Sequence, residues 1–148
     1  MTVSAYIDGA SRGNPGPASV GVIVRGQSGE TLREHGRTLG TATNNVAEYT
    51  AFLDALRIAK SLGADEVLVH SDSLLLVEQI AGKYKVKNAA LQGLKAQALA
   101  LMKGFKAVRL VHVRRELNGD ADRLANEALD GRRDDQPLPG PASQGLLF

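Results

Sequence analysis

Val3-Ser4-Ala5-Tyr6-Ile7-Asp8-Gly9-Ala10-Ser11-Arg12-Gly13-Asn14-Pro15-Gly16-Pro17 is the stretch on which the reading of this 148-residue chain turns. Val3 to Asp8 is rich in strand formers and alternates weakly, and a dense run of turn residues follows from Gly9. A strand is therefore predicted to end on an acid beside a glycine. Packing gives no reason for a carboxylate in an otherwise apolar strand, because burying an unpaired charge is costly. Outward from this point, Ser19–Arg25 reads as a second strand, Gln27-Ser28-Gly29-Glu30 as a tight turn, and Thr31–Leu39 as a third strand. Three strands joined by short turns predict an antiparallel meander.

Thr43 or Asn44 is placed to cap a helix carrying Val46, Ala47, Ala51, Phe52, Ala55, Leu56 and Ala59 at helical spacing, with Gly63 as its stop. Val67–His70 is a short apolar strand running into Ser71-Asp72-Ser73, which caps a helix from Leu74 to about Ala81. After the connector Lys83–Asn88 come a helix to about Lys103, a strand Ala107–Val113 and a last helix from about Asp120 to Leu129. The order βββαβααβα, with later strands separated by helices, predicts an α/β domain with one mixed sheet and helices on its faces. From Gly131 the composition turns to Arg, Asp, Pro and Gly without apolar period, so residues 1–130 are expected to form the domain and 131–148 a flexible tail.

A chain of this length supports one ordinary domain with a real core. It has no cysteine, which excludes thiolate metal sites, disulfides and a cysteine nucleophile. The start lacks a basic and apolar leader and no run reaches membrane-spanning length, so a cytoplasmic protein with no membrane contact is expected, and a monomer. The net charge of +2 hides an asymmetry: Lys83 to Arg115 holds nine basic residues and no acid. Such a stretch is either a solvated helical face or a footprint for a phosphate backbone.

Four acids occupy comparable places: Asp8 on the first strand, Glu48 in the first helix, Asp72 just past the fourth strand and Asp122 opening the last helix. Brought together, they would repel by roughly 4 kcal/mol per pair at 4 Å and an effective dielectric near 20, and would need cations or protons. Oxygen donors alone suit Mg²⁺ or Mn²⁺, and two such ions can serve phosphodiester hydrolysis. Singly, Asp72 and Asp122 also suit helix capping, and Glu48 a first-turn acid. His35, His70 and His112 fall on separate strands without ligand spacing, the glycine-rich turn lacks the phosphate-loop pattern, and no serine has an evident base partner.

These residues resemble type 1 ribonuclease H, in its compact form lacking the basic insertion between central helices. Asp8–Gly16 looks like the family's strand-one motif, Thr43-Asn44-Asn45-Val46-Ala47-Glu48 like its helix-one motif, Ser71-Asp72-Ser73 like the third and Arg114–Asp122 like the fourth, in the expected order over about residues 1–130. The resemblance implies a five-stranded mixed sheet, three antiparallel strands then two parallel. It also implies a site of Asp8, Glu48, Asp72 and Asp122 holding a pair of Mg²⁺ or Mn²⁺ ions, and hydrolysis of the RNA strand of an RNA–DNA hybrid to 5′-phosphate and 3′-hydroxyl ends. By motif correspondence Asn14, Asn44 and Asn45 contact nucleic acid in the minor groove, and Lys83, Lys85 and Lys87 lie along the DNA strand. Asn118 matches a polar residue before the last acid. Many members carry a histidine in that loop where this chain has Arg114, Arg115 and Glu116, and Arg115 is expected to supply part of its role as a fixed cation. The alternatives are a noncatalytic hybrid-binding module and another metal nuclease of the same fold. The end, Gln144-Gly145-Leu146-Leu147-Phe148, resembles the peptide by which bacterial replication proteins bind the sliding clamp, with Gln144, Leu147 and Phe148 as its contacts.

Overall fold

In the computed structural model, which describes residues 1–138, the meander forms as β1 (Thr2–Ser11), β2 (Gly16–Arg25) and β3 (Thr31–Ala42). The chain then crosses through helix α1 (Asn44–Ser61) to β4 (Glu66–Ser71), and through α2 (Leu74–Ile80) and α3 (Ala89–Met102) to β5 (Ala107–His112), before ending in α4 (Gly119–Leu129). One five-stranded sheet results, in the order β3-β2-β1-β4-β5. β1, β2 and β3 pair antiparallel, whereas β4 lies parallel to β1 and β5 parallel to β4. The fold read from the sequence is thus the fold observed. The strands run further than their apolar runs, β1 to Ser11 and β3 to Ala42, because pairing with β2 carries the polar positions along.

Cross-strand partners share a face of a sheet, so the register assigns each side chain. Ala5, Ile7 and Gly9 stand opposite Val24, Val22 and Val20, while Tyr6, Asp8 and Ala10 stand opposite Ile23, Gly21 and Ser19. The first face is the main core: Val3, Ala5, Ile7, Val20, Val22, Val24, Val67 and Val69 pack against Tyr49, Phe52, Leu53 and Leu56 of α1. The second face receives α4 through Ala121, Leu124, Ala125 and Ala128, all buried. It does so at very close range, since a Cβ on Gly21 or Gly36 would run into the α4 backbone at Ala121 or Leu124. Small residues on the strands, rather than large ones on the helix, set how near α4 comes to β1.

Residues 133–135, expected to be tail, are tied to the edge strand. Asp135 N–H donates to Gly36 O at 2.8 Å, its carboxylate accepts from Gly36 N–H at 3.0 Å, and Asp134 accepts from Thr38 N–H at 2.9 Å. An edge strand offers unpaired backbone donors, and two successive aspartates meet them, so the domain reaches past the composition change at Gly131. Gln144, Leu147 and Phe148 lie outside the described residues. Among the described residues no helix is long and apolar enough to cross a membrane.

Candidate active site

Ile7 of β1 pairs with Ser71 of the parallel β4, so Asp8 and Asp72 emerge side by side just past the last paired positions of these strands. The carboxyl end of parallel strands is where α/β sheets place their sites. Glu48 arrives from α1, whose N-terminus is fixed by Thr43: its hydroxyl accepts from Val46 N–H at 3.2 Å, leaving Asn44 free of capping. Gly9 lets this helix approach, because a Cβ there would overlap the backbone of Ala47 and Glu48. The contact is also chemical, since Gly9 N–H donates to Glu48 Oε1.

Carboxylate oxygens of Asp8, Glu48 and Asp72 all lie within 4.8 Å of one another. Asp8 and Glu48 are only 7% and 8% exposed. Asp122 is exposed on the rim, near enough for its charge to act on Asp8 but outside that close group. Neither Asp72 nor Asp122 caps its helix: Ser73 caps α2, accepting from Leu76 N–H at 3.2 Å, and α4 has no side-chain cap. The capping explanation for these acids is thereby removed.

Burial, followed by the charges of Glu48, Asp72 and Asp122, pushes the Asp8 carboxyl up to about 9. Burial raises Glu48 to about 8 with help from Asp72, against the opposing pull of the Gly9 N–H, the Ser73 hydroxyl and Arg115. Unaided, the pocket is a proton trap at neutral pH. A cluster of hard oxygen donors under such mutual repulsion fits a divalent cation of the Mg²⁺ or Mn²⁺ kind. The nearest side-chain cation is Arg115, whose Nε stands 3.9 Å from Asp72 Oδ2 on a side chain 87% exposed.

Asn14, Asn44 and Asn45 gather at the surface beside the N-terminus of α1, where Asn14 Oδ1 accepts from Asn44 N–H at 3.0 Å. Lys83, Lys85 and Lys87 are exposed on the α2–α3 connector, outside the acid pocket; Lys83 has a loose partner in Glu78 at 3.7 Å. Asn118 is buried, its amide donating to Ile7 O at 2.8 Å. Sequence reading missed the group that orients Glu48, the Gly9 N–H; the Asp-Gly pair was the available signal. It also missed a second buried carboxylate cluster, in which Asp54 of α1 accepts from His35 at 2.9 Å and from Arg37 at 2.7 and 3.0 Å.

A five-stranded sheet in this order, with acids from β1, α1, the end of β4 and α4 converging at one end, defines a ribonuclease H-like domain. The chain belongs to the reverse transcriptase-like family, whose sequence pattern matches residues 6–128. It is similar to ribonuclease HI of Halobacterium salinarum, 44% identical over 128 residues, which amount to 86% of this chain and 64% of the relative. The chain thus spans less than two-thirds of that relative's length. The crystal structure of ribonuclease H1 from the same archaeon superposes with a TM-score of 0.87, covering 88% of this chain and 99% of that one. LC11 ribonuclease H1, solved in complex with an RNA/DNA hybrid, superposes at 0.83 with 40% identity over 87% of this chain and 97% of its own.

Proposed function

We propose that this protein hydrolyses the RNA strand of RNA–DNA hybrids, leaving 5′-phosphate and 3′-hydroxyl ends, with two Mg²⁺ or Mn²⁺ ions held by Asp8, Glu48, Asp72 and Asp122. The observation that carries the reading is the meeting of three carboxylates within 4.8 Å in a pocket that raises two of them far above the usual range. When bound, such ions supply an activated water and charge stabilisation for the leaving oxygen of a phosphodiester. The chain's own part is to hold and orient. Asp8 and Asp72 are fixed by the register of two parallel strands, and Glu48 is aimed by the Gly9 N–H. Asn14, Asn44 and Asn45 line the approach to this end of the sheet, with donors and acceptors suited to 2′-hydroxyls in a minor groove. The hybrid complex of the LC11 relative supports the same substrate class here.

The deciding experiment incubates the protein with hybrid, duplex DNA, duplex RNA and single strands, each with Mg²⁺, Mn²⁺ or chelator, beside Asp8→Asn. Cleavage confined to the hybrid, dependent on cation and absent in the variant, is the expected result; an intact hybrid under every condition would overturn it. Lys83, Lys85 and Lys87 would position the DNA strand electrostatically. Replacing all three should lower affinity and flatten the slope of log affinity against log salt by roughly 0.7–0.9 for each phosphate that is no longer neutralised. An unaltered slope would make them solvated surface. A sliding-clamp interaction through Gln144, Leu147 and Phe148 belongs to the same proposal on sequence alone, and deletion of residues 144–148 should abolish it.

A further inference from the structure

Asn118 stands at the N-terminal boundary of α4, where an asparagine ordinarily turns its side-chain oxygen to the free N–H groups of its own helix. Here no side-chain cap forms. The residue is 1% exposed and its side chain turns toward β1, where Nδ2 donates to the Ile7 carbonyl at 2.8 Å. Its Oδ1 is buried without a partner among the described residues. Forgoing the cap and stranding a buried acceptor both cost stability. What is obtained in return is one hydrogen bond to the residue that precedes Asp8. The Asn118 main-chain carbonyl meanwhile accepts from Asp122 N–H at 3.1 Å. One side chain and one carbonyl of the same residue therefore join the neighbour of one acid to the backbone of another.

Local rules broken without a local gain mark positions held for function. Other polar ties between α4 and the sheet lie elsewhere, among them the ion pair of Arg123 with Glu34 of β3 at 3.0 Å. Ser19 Oγ donates to Ala125 O at 2.7 Å, over a turn beyond Asp120, and Arg25 pairs with Asp120 at 2.5 Å near the surface. None of these reaches β1, the strand that carries Asp8. We propose that Asn118 is a positioning residue that sets the separation of Asp8 and Asp122, and through it the affinity of the acid pocket for divalent cations. The inference rests on the functional reading above, in which those two acids act together.

The test compares Asn118→Ala and Asn118→Ser with Ser19→Ala. Serine supplies a capping hydroxyl but cannot bridge to Ile7, so it separates helix stability from acid placement. Mn²⁺ affinity is read by titration calorimetry without nucleic acid, thermal stability in chelator, and kcat and KM on the hybrid. Both Asn118 variants should lose about tenfold in Mn²⁺ affinity and about tenfold or more in kcat with KM nearly unchanged, the pattern of an interaction made in the reacting complex. Asn118→Ser should melt close to the wild-type temperature, while Ser19→Ala should melt lower yet keep wild-type Mn²⁺ affinity and kcat. Wild-type Mn²⁺ affinity and kcat in both Asn118 variants, or an equal loss of both in Ser19→Ala, would overturn the proposal. A wild-type protein that leaves the hybrid uncut would defeat the functional reading, and the calorimetric comparison would still decide the role of Asn118.

Discussion

Helix α1 carries two buried acids six positions apart, and they live in opposite electrostatic worlds. Glu48 faces Asp8 and Asp72, a same-sign group relieved only by a backbone N–H, a hydroxyl and a distant arginine. Asp54 faces His35, Arg37 and, at 4.0 Å, Arg57. Burial alone would raise both. For Asp54 the hydrogen bonds from His35 and Arg37 outweigh it and hold the carboxyl below its ordinary value, whereas for Glu48 burial and Asp72 prevail. The same residue class on the same helix is paired within the protein at Asp54, and at Glu48 is left to the cation of the proposed function. Burial and acidity do not distinguish these cases; the sign of the neighbours does.

The sharpest break of this contrast is a pair of substitutions. Asp8→Asn should reduce hybrid cleavage by about a thousandfold or more, equivalent to roughly 4 kcal/mol of transition-state stabilisation. It should leave the metal-free protein at least as stable as wild type, because a neutral amide needs no proton to be held at that site. Asp54→Ala should do the reverse. Stripping the partner from buried cations typically costs about 3–5 kcal/mol, which for a domain of this size lowers the melting temperature by on the order of 10 °C. Its turnover per folded molecule should stay near wild type. Calorimetric melting beside a cleavage assay reads both, and a variant that moves stability and turnover together in either cluster would collapse the distinction.

The two clusters also predict opposite pH dependences. Asp8 and Glu48 have folded-state values near 9 and 8, above their ordinary 3.8 and 4.5. The metal-free native protein therefore keeps protons that the unfolded chain has released. Stability should fall as pH rises across the window from about 4.5 to 8, by about 1.4 kcal/mol per unit for each proton retained. Asp54 is lowered, so its contribution is complete above the ordinary carboxylate value and is lost as pH falls through its own. Melting temperatures in chelator should accordingly decline from mildly acidic toward alkaline pH, and saturating Mg²⁺ should abolish the decline by replacing the protons. A flat metal-free profile between pH 5 and 8, to within about 1 kcal/mol, would show that the acids are not coupled as the geometry requires.

Much of this was legible in the sequence, for reasons the residues make plain. Asp8 stood out because strand alternation around it is apolar and a glycine follows, and the order of strands and helices leaves few sheets to choose from. The Asp54 cluster escaped because its members come from two elements: His35 and Arg37 share a face of β3 by alternation, but only the packing of α1 on that strand brings Asp54 to them. The graded roles of the four acids were equally hidden. Glu48 and Asp122 both sit early in helices, yet Gly9 draws α1 inward until Glu48 is buried, while α4 leaves Asp122 on the rim. The docking of Asp134 and Asp135 was masked by a composition that reads as tail, since pairing with an edge strand requires no apolar period.

The smallest expected effect tests Arg115, among the described residues the one cation that pairs with the acid pocket. Arg115 is 87% exposed and 3.9 Å from Asp72, a geometry in which ion pairs contribute little to stability, so Arg115→Ala should leave the melting temperature unmoved. Its charge nonetheless sits beside the acid pocket, where the proposed reaction would release a phosphate. A permanent cation there can accompany a departing anion without exchanging a proton, unlike an imidazole. Turnover should fall by about threefold, on the order of 0.6 kcal/mol, with no new pH dependence. Arg37→Ala in the other cluster is the counterpart: it should lower the melting temperature, because Asp54 loses a bidentate partner, and leave turnover alone. If Arg115→Ala turns over at the wild-type rate, the arginine is a surface residue that happens to lie near an acid, and the functional cluster has no countercharge of its own.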